Sequence, residues 1–467
     1  MLPHPLQRLT VTLAALWLGF LPGTVTAAPA RPPNIVIIFC DDLGYGDLGS
    51  YGHPSIRTPH LDRMAAEGLR FTDFYTADSV CSPSRTALLT GRLPVRSGMY
   101  GDKRRVLFPN SVGGLPSSEI TLAKALKPQG YATAIVGKWH LGHQPEFSPL
   151  RHGFDQYFGV PYSNDMDRTT DAPRGRAAFL DPKSEYWNVP LRRGDEITER
   201  PADQTTLTRR YTAEAVKFIR EKKSQPFFLY FPHTFPHVPL FASSDFHGKS
   251  ARGLYGDVVE ELDWSVGQVL AALRTEGLAE NTLVVFTSDN GPWLTQFEQG
   301  GSAGLLREGK GCTYEGGMRV PAIAWWPGRI APRTTSALAT TMDLLPTALA
   351  LAGAPLPTDR AFDGVDLRSL LFGTGPSARE SVFFYRGSSL FAVRHRDFKA
   401  HYITQPAYGP EAPKTHDVPE LYQLTIDPAE KYNVAARHPT VLAEIARVVE
   451  KHRAGLKIAP SQFDREQ

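Results

Sequence analysis

The chain has 467 residues, of which 42% are apolar and 21% charged, and a net charge of +3. That length suits one large core or two domains, and the composition excludes a disordered chain and a coiled coil. So even a balance of charge points away from a nucleic-acid partner.

In residues 1–30, Arg8 precedes an apolar run over 11–21, and small residues follow at Thr26-Ala27-Ala28-Pro29-Ala30. This is the pattern of a secretory signal peptide cleaved near Ala28 or Ala30. About a dozen apolar residues are too few to span a bilayer. The mature protein is therefore expected to be exported and soluble, with no stable membrane anchor. Its three cysteines, Cys40, Cys81 and Cys312, do not make a disulfide framework for a chain of this size.

The β-branched run 34–39 reads as a strand buried on both faces, and it ends directly in Asp41-Asp42. Thr58-Pro59 opens a helix through Leu61, Met64 and Ala65 that Gly68 stops. Pro83 suits a first helical turn and Ala87-Leu88-Leu89 continues it, which puts Cys81 at a helix N-terminus with Arg85 one turn further on. Free N–H groups there favour an anion. Residues 131–136 form a second strand running into Lys138 and His140. Residues 226–231 form a third, followed by His233 and His237. A helix is expected over 258–273, with Leu262, Val266, Val269 and Leu270 on one side. The run 282–287 is a fourth strand, ending in Asp289-Asn290-Gly291. In open α/β sheets the ligand crevice lies beyond the carboxyl ends of the strands, so these four ends are candidates for one site. Strands alternating with helices indicate an α/β/α sandwich. The segment 163–204 shows no periodicity, and a loop of that length is expected to shape the substrate entrance. Short strands at 382–385, 390–393 and 398–402 and an amphipathic helix at 440–452 describe a smaller C-terminal α+β subdomain with an antiparallel sheet.

Cys81-Ser82-Pro83-Ser84-Arg85, followed by Thr90-Gly91-Arg92, resembles the first signature of the type I, formylglycine-dependent sulfatases. Gly130-Tyr131-Ala132-Thr133-Ala134-Ile135-Val136-Gly137-Lys138-Trp139-His140 resembles their second. The likeness covers nearly the whole mature chain and lies nearest the arylsulfatase A-like branch. It implies an alkaline-phosphatase-like α/β/α sandwich with a large mixed sheet. The expected layout is a signal peptide at 1–30, a catalytic domain at 31–360 and the C-terminal subdomain at 361–467. Relatives from lysosomes typically carry glycans and several disulfides. This chain has no Asn-x-Ser/Thr sequon, which favours a bacterial periplasm or secretion over a lysosome-like compartment.

The resemblance also implies the chemistry. Cys81 becomes 3-oxoalanine (formylglycine) through a formylglycine-generating enzyme, and its hydrate attacks the sulfur of a sulfate ester. Asp41, Asp42, Asp289 and Asn290 match the family's metal ligands. Three carboxylates and an amide oxygen suit a hard divalent cation, Ca2+ before Mg2+, because bidentate carboxylates and a bulky hydrate favour a large, flexible shell. Arg85 and Lys138 match residues that hold the hydrate, and His140 the residue that takes its second proton. Lys310 and, less closely, Ser163 match groups that touch the sulfate. His237 matches the position near the leaving group, and it or Lys310 protonates the leaving oxygen. His233 fits the pattern less well and stays outside the set. Taken singly, each Asp pair is more often a turn, each His or Lys a satisfied or solvated side chain, and Cys40 and Cys312 small buried groups. The segment after His401 departs from the family's pattern, so the substrate stays open among aryl sulfates, sulfated sugars and sulfolipids. A phosphatase or phosphodiesterase of the same superfamily is the rival enzyme. A catalytically silent glycan-binding protein is the rival from another class.

Overall fold

In the computed structural model, which describes Met1 and residues 31–466, the β-branched run after Pro33 forms the central strand β1 (Asn34–Cys40), buried along its whole length. The expected signal peptide lies outside the described residues. The sheet around β1 is built from β2 (Leu69–Tyr75), β3 (Ala132–Val136), β4 (Gln156–Gly159), β5 (Leu191–Arg193), β6 (Glu196–Glu199), β7 (Phe227–Pro232), β8 (Thr282–Ser288), β9 (Arg319–Trp325), β10 (Arg333–Thr335) and the short β11 (Ala339–Thr340). The strand order is β10-β2-β9-β8-β1-β7-β3-β4-β5-β6, with β11 also paired to β2. Strands β8, β1, β7, β3 and β4 run parallel, whereas β9 is antiparallel to both β8 and β2, so the sheet is mixed.

Register places the site. Cys40 lies opposite Ser288 of β8, and Phe39 lies opposite Pro232 of β7. The chain therefore leaves three neighbouring strands at one level, and β3 leaves beside them. The four strand ends expected to carry chemistry are adjacent in the order β8-β1-β7-β3.

Alternation along β1 makes three layers. Val36, Ile38 and Cys40 face a core shared with Phe218 of helix Leu207–Glu221 and with Leu262 and Val266 of helix Gly253–Thr275. Ile35, Ile37 and Phe39 face the opposite core, with Leu88, Leu89, Leu345 and Leu349. Helix α1 (Pro59–Glu67) begins with Pro in its first turn, ends at Gly68 and buries Leu61 and Met64. The helix expected at 258–273 extends to Gly253–Thr275.

The segment 163–204 is more ordered than its lack of periodicity suggested. It contains a short helix, Ala177–Leu180, and the antiparallel pair β5–β6 at the sheet edge. Strands of three or four residues, mostly polar, are too short to print an alternating pattern.

A second sheet follows: β12 (Ser381–Arg386), β13 (Ser389–His395), β14 (Phe398–Thr404) and β15 (Lys414–Gln423), antiparallel and in chain order. Gly387, at φ 60°, makes the tight β12–β13 turn. Helix Pro439–Ala454 packs Ile445 and Val449 against Val393, Ala400 and Leu421, in a cluster that also includes Ala87 and Val95.

Candidate active site

Helix α2 (Cys81–Thr90) is buried at every residue and stops at Gly91, which takes the left-handed conformation. Its N-terminus points Cys81 at the end of β1, with Sγ 3.5 Å from Asp41 Oδ1. One turn on, Arg85 is fully buried. Its Nη2 donates to Asp41 Oδ2 at 3.0 Å and to Asp289 Oδ2 at 2.8 Å, and its Nη1 donates to the Lys138 carbonyl at 3.0 Å. One guanidinium thus ties the ends of β1, β8 and β3 together.

The remaining polar side chains extend this network. Lys138 Nζ donates to Asp41 Oδ2 and, at 3.1 Å, to Ser163 Oγ. Ser163 Oγ lies 3.3 Å from His237 Nε2, which is 3.7 Å from Asp42 Oδ2. Lys310 Nζ reaches both Asp42 oxygens, at 2.7 and 2.8 Å. Asn290 Nδ2 donates to Asp42 Oδ1 at 2.7 Å, and the Asp42 backbone N–H donates to Asp289 Oδ1 at 3.2 Å. His140 lines the same cavity as Cys81, with Nε2 2.8 Å from the Leu107 carbonyl. All eleven residues expected from the sequence come together here. His233 does not join them: it is buried against Phe231. Asp42 and His140 hold φ of 64° and 59°, an uncommon conformation for residues with a Cβ and one that collects at functional sites.

The electrostatics fit a cation. Donor atoms of Asp41, Asp42, Cys81 and His237 lie within 4.8 Å of one another, and Asp289 and Asn290 adjoin through their bonds with Asp42. Burial works to raise the Asp41 carboxyl, but the charges of Lys138 and Arg85 outweigh it and hold Asp41 well below the usual range. Burial lifts Asp42 to about 7 against the pull of Lys310, with Asp41 and Asp289 adding to the rise. Burial and Asp41 raise Asp289 as well. Three acids thus face three cations, Arg85, Lys138 and Lys310, and burial still makes the ionised form costly at Asp42 and Asp289. Asn290 Oδ1 is buried with no hydrogen-bond partner while Nδ2 faces Asp42, and turning the amide over would bring that unused oxygen to the carboxylates. Buried acceptors normally find a partner, and a cation is one. Together these residues fit a divalent ion with oxygen ligands.

Burial, then Asp41, pushes the Cys81 thiol well up, so that it stays protonated. Burial pulls His140 and His237 well below 6.5, helped by Lys138 at the first and Lys310 at the second. Both imidazoles are neutral. Because a carbonyl can only accept, the His140 proton sits on Nε2 toward Leu107, and that of His237 sits on Nδ1, 2.5 Å from the Val238 carbonyl.

A cavity of about 310 Å³ opens above Cys81. Sequence reasoning missed several residues in its wall: Asp165, Trp293, Tyr408 and Arg105. Asp165 follows Ser163 by two positions, and its Oδ1 is buried without a partner. Trp293 lies just past Asp289-Asn290-Gly291 and carries Lys310 Nζ 4.4 Å over its ring. Closeness to a motif could have flagged these two. Tyr408, whose ring centre is 5.7 Å from that of Trp293, comes from the loop between β14 and β15, and no local pattern announces it.

Comparison with known proteins places this geometry. The sulfatase family profile matches residues 33–354, and that of the C-terminal region of aryl-sulfatase matches 377–467. Human (Homo sapiens) arylsulfatase A is 48% identical over 448 residues, which covers 90% of this chain and 88% of that protein. Human N-acetylgalactosamine-6-sulfatase is 41% identical over 473 residues, covering 95% and 90%. Among solved structures, the PsFucS1 sulfatase from Pseudoalteromonas sp. matches with a TM-score of 0.81 at 31% identity, covering 94% of this chain and 92% of that one.

Proposed function

Because the chain belongs to the sulfatase family and is a sulfuric ester hydrolase of alkaline-phosphatase-like fold, we propose that it acts through a formylglycine made from Cys81. Beside it we place a divalent cation, calcium rather than magnesium, on Asp41, Asp42, Asp289 and Asn290. The observation that carries this reading is the position of Cys81. Its sulfur lies at a helix N-terminus, 3.5 Å from Asp41, in a setting that keeps a thiol protonated and inert. An unmodified thiol there is a poor nucleophile in a place built for one.

Once hydrated, the modified residue supplies two hydroxyls on one carbon, the first to attack sulfur and the second to lose its proton afterwards. The cation supplies positive charge that favours ionised oxygens at that carbon. Lys138 and Ser163 bind a sulfate oxygen from one side, and Lys310 binds another from the side of Trp293. Arg85 fixes Asp41 and Asp289 in place and points no free donor at the ester. His140, with Nε2–H spent on Leu107, has Nδ1 buried and unpartnered, ready to take the second hydroxyl's proton. His237 faces the leaving oxygen through Nε2. With the anionic ester bound, His237 takes up a proton from solvent at Nε2, keeping the Nδ1 proton on Val238, and hands the Nε2 proton to the departing oxygen.

The same reading assigns residues 31–360 to catalysis and 361–467 to a C-terminal part that lends Tyr408 to the cavity. It also makes a formylglycine-generating enzyme a partner during maturation, and the bacterial periplasm or the exterior the destination. No helix among the described residues is long and apolar enough to cross a membrane.

The test is Cys81→Ser. Serine offers one hydroxyl where the cycle needs two, so the variant should release at most one equivalent of alcohol and keep a sulfo group on residue 81, visible by peptide mass. Multiple turnovers by this variant would remove the two-hydroxyl mechanism.

A further inference from the structure

The loop that follows α2 carries three consecutive cations, Lys103-Arg104-Arg105, and all three side chains line the cavity above Cys81. The loop is built into the structure. Asp464 accepts hydrogen bonds from the backbone N–H groups of Asp102, Lys103 and Arg104, and Phe463 beside it is buried. Arg105 donates through Nη1 to the Gly311 carbonyl at 2.7 Å and through Nη2 to Ser79 Oγ at 3.2 Å. It is thereby fixed against the residue that follows Lys310.

Lys103 and Arg105 also line a second polar cavity of about 390 Å³, whose far wall holds Arg386, Ser389 and Gln405. Arg386 is half-buried at the end of β12 and donates to the Pro406 carbonyl. Neither Arg105 nor Arg386 forms an ion pair with a described carboxylate within 4.0 Å. Burial and the charge of Arg105 lower the Arg386 guanidinium to about 10. Of the nearby acids, Asp102 lines the same cavity but is engaged by Ser388, and Asp78 is buried, with Arg105 its principal charge partner, and accepts from the backbone of Ser79 and Val80. Two guanidiniums that repel each other, held half out of water with one buried carboxyl, Asp78, to offset both and no direct ion pair, make a site for an anion.

We propose that this second cavity binds a second anionic group of the substrate, and that the preferred substrate is a sulfated saccharide carrying at least one further sulfate or carboxylate. This deepens the sulfatase reading and rests on it. The saccharide follows from the route between the two cavities. Trp293 and Tyr408 offer aromatic faces beside Lys310, and Asp165 Oδ1 offers a buried, unpartnered acceptor for a sugar hydroxyl. A lipid tail would leave that acceptor unpaired and bring no anion to the two arginines.

The experiment compares kcat/KM of the purified active enzyme for 4-nitrophenyl sulfate, a monosulfated neutral disaccharide, and the same disaccharide with a second sulfate or a uronate. The expected preference for the doubly charged disaccharide over the neutral one is about tenfold or more, since one well-placed charged pair is worth that much. In Arg386→Gln the preference should fall to near unity, and Arg386→Lys should restore part of it. Lys103→Gln, exposed in the wall of the same cavity, should lower it less and guards against a folding defect at Arg386. Equal rates on both disaccharides, or a preference that survives Arg386→Gln, overturns the proposal while leaving the sulfatase reading intact. Failure to hydrolyse any of the sulfate esters would instead sink that reading.

Discussion

In the proposed reaction Lys310 and His237 face the leaving oxygen, and they differ in what they can give. Lys310 is an ammonium that Asp42, against the cost of burial, holds charged far above its usual range, and it grips the ester in ground and transition states alike. His237 keeps its Nδ1 proton on Val238, so in the proposed reaction it acts through a second proton taken up at Nε2, which matters only as charge develops on the departing oxygen. Lys310→Ala should therefore weaken inhibition by free sulfate as well as slow turnover. His237→Ala should cost little with nitrophenyl sulfate, whose leaving group needs no proton, and about 100-fold or more with sulfated sugars. Plotting mutant to wild-type kcat/KM against leaving-group pKa checks this. A loss that does not vary with pKa moves the proton to Lys310. Most charged members of this site were legible because they follow a buried strand or helix start within a few residues, whereas Lys310, deep in the loop between β8 and β9, was legible only through the family resemblance. Tyr408 and Arg105 were not. They reach the cavity only because the C-terminal loop and tail fold back on it, a contact between distant segments that leaves no local pattern.

Among the elements, the central strands were the plainest in the sequence, since a β-branched run buried on both faces needs no partner to declare itself. Strand β9 escaped notice because Arg319 and Pro321 interrupt its apolar run, although it separates β8 from β2 and makes the sheet mixed. What no sequence pattern announced is how the two sheets are stitched together. Glu315, fully buried just before β9, accepts from Lys399 of β14 at 3.0 Å and from Tyr75 of β2 at 2.5 Å. Lys399 also reaches Glu430, which accepts from His401 at 2.6 Å. Removing one member leaves buried charges uncompensated, so Glu315→Gln should destabilise the protein by about 3–5 kcal/mol, read as a fall in melting temperature. Burial works to raise Glu315, but Lys399, Arg319 and Arg394 prevail and bring it from 4.5 down to about 2. With the folded value below the unfolded one, this contribution is present above pH 4.5 and lost progressively toward pH 2. Stability of the wild type should thus fall more steeply across that window than stability of Glu315→Gln. Parallel slopes would show that Glu315 is not the group being titrated.

For the whole molecule, the site is a junction where the parallel strands of the mixed sheet, a buried helix and a C-terminal sheet meet around a cluster of buried charges. Asp41, Asp42 and Asp289 face Arg85, Lys138 and Lys310, and burial still lifts Asp42 to about 7, so that its ionised form gains from a further cation. A cation that binds the folded state and not the unfolded one stabilises it by mass action. Exhaustive chelation should lower both activity and melting temperature, by about several degrees, and calcium should restore both better than magnesium. Elemental analysis that finds no divalent ion in fully active enzyme would contradict the ligand assignment. The central claim is that residue 81 works as an aldehyde and not as a thiol. Its most direct test is the mass of the peptide containing residue 81 from active enzyme, before and after reaction with a hydrazide. Conversion to formylglycine, at an occupancy that tracks specific activity across preparations, is the predicted result. An unmodified cysteine throughout a fully active sample would contradict it.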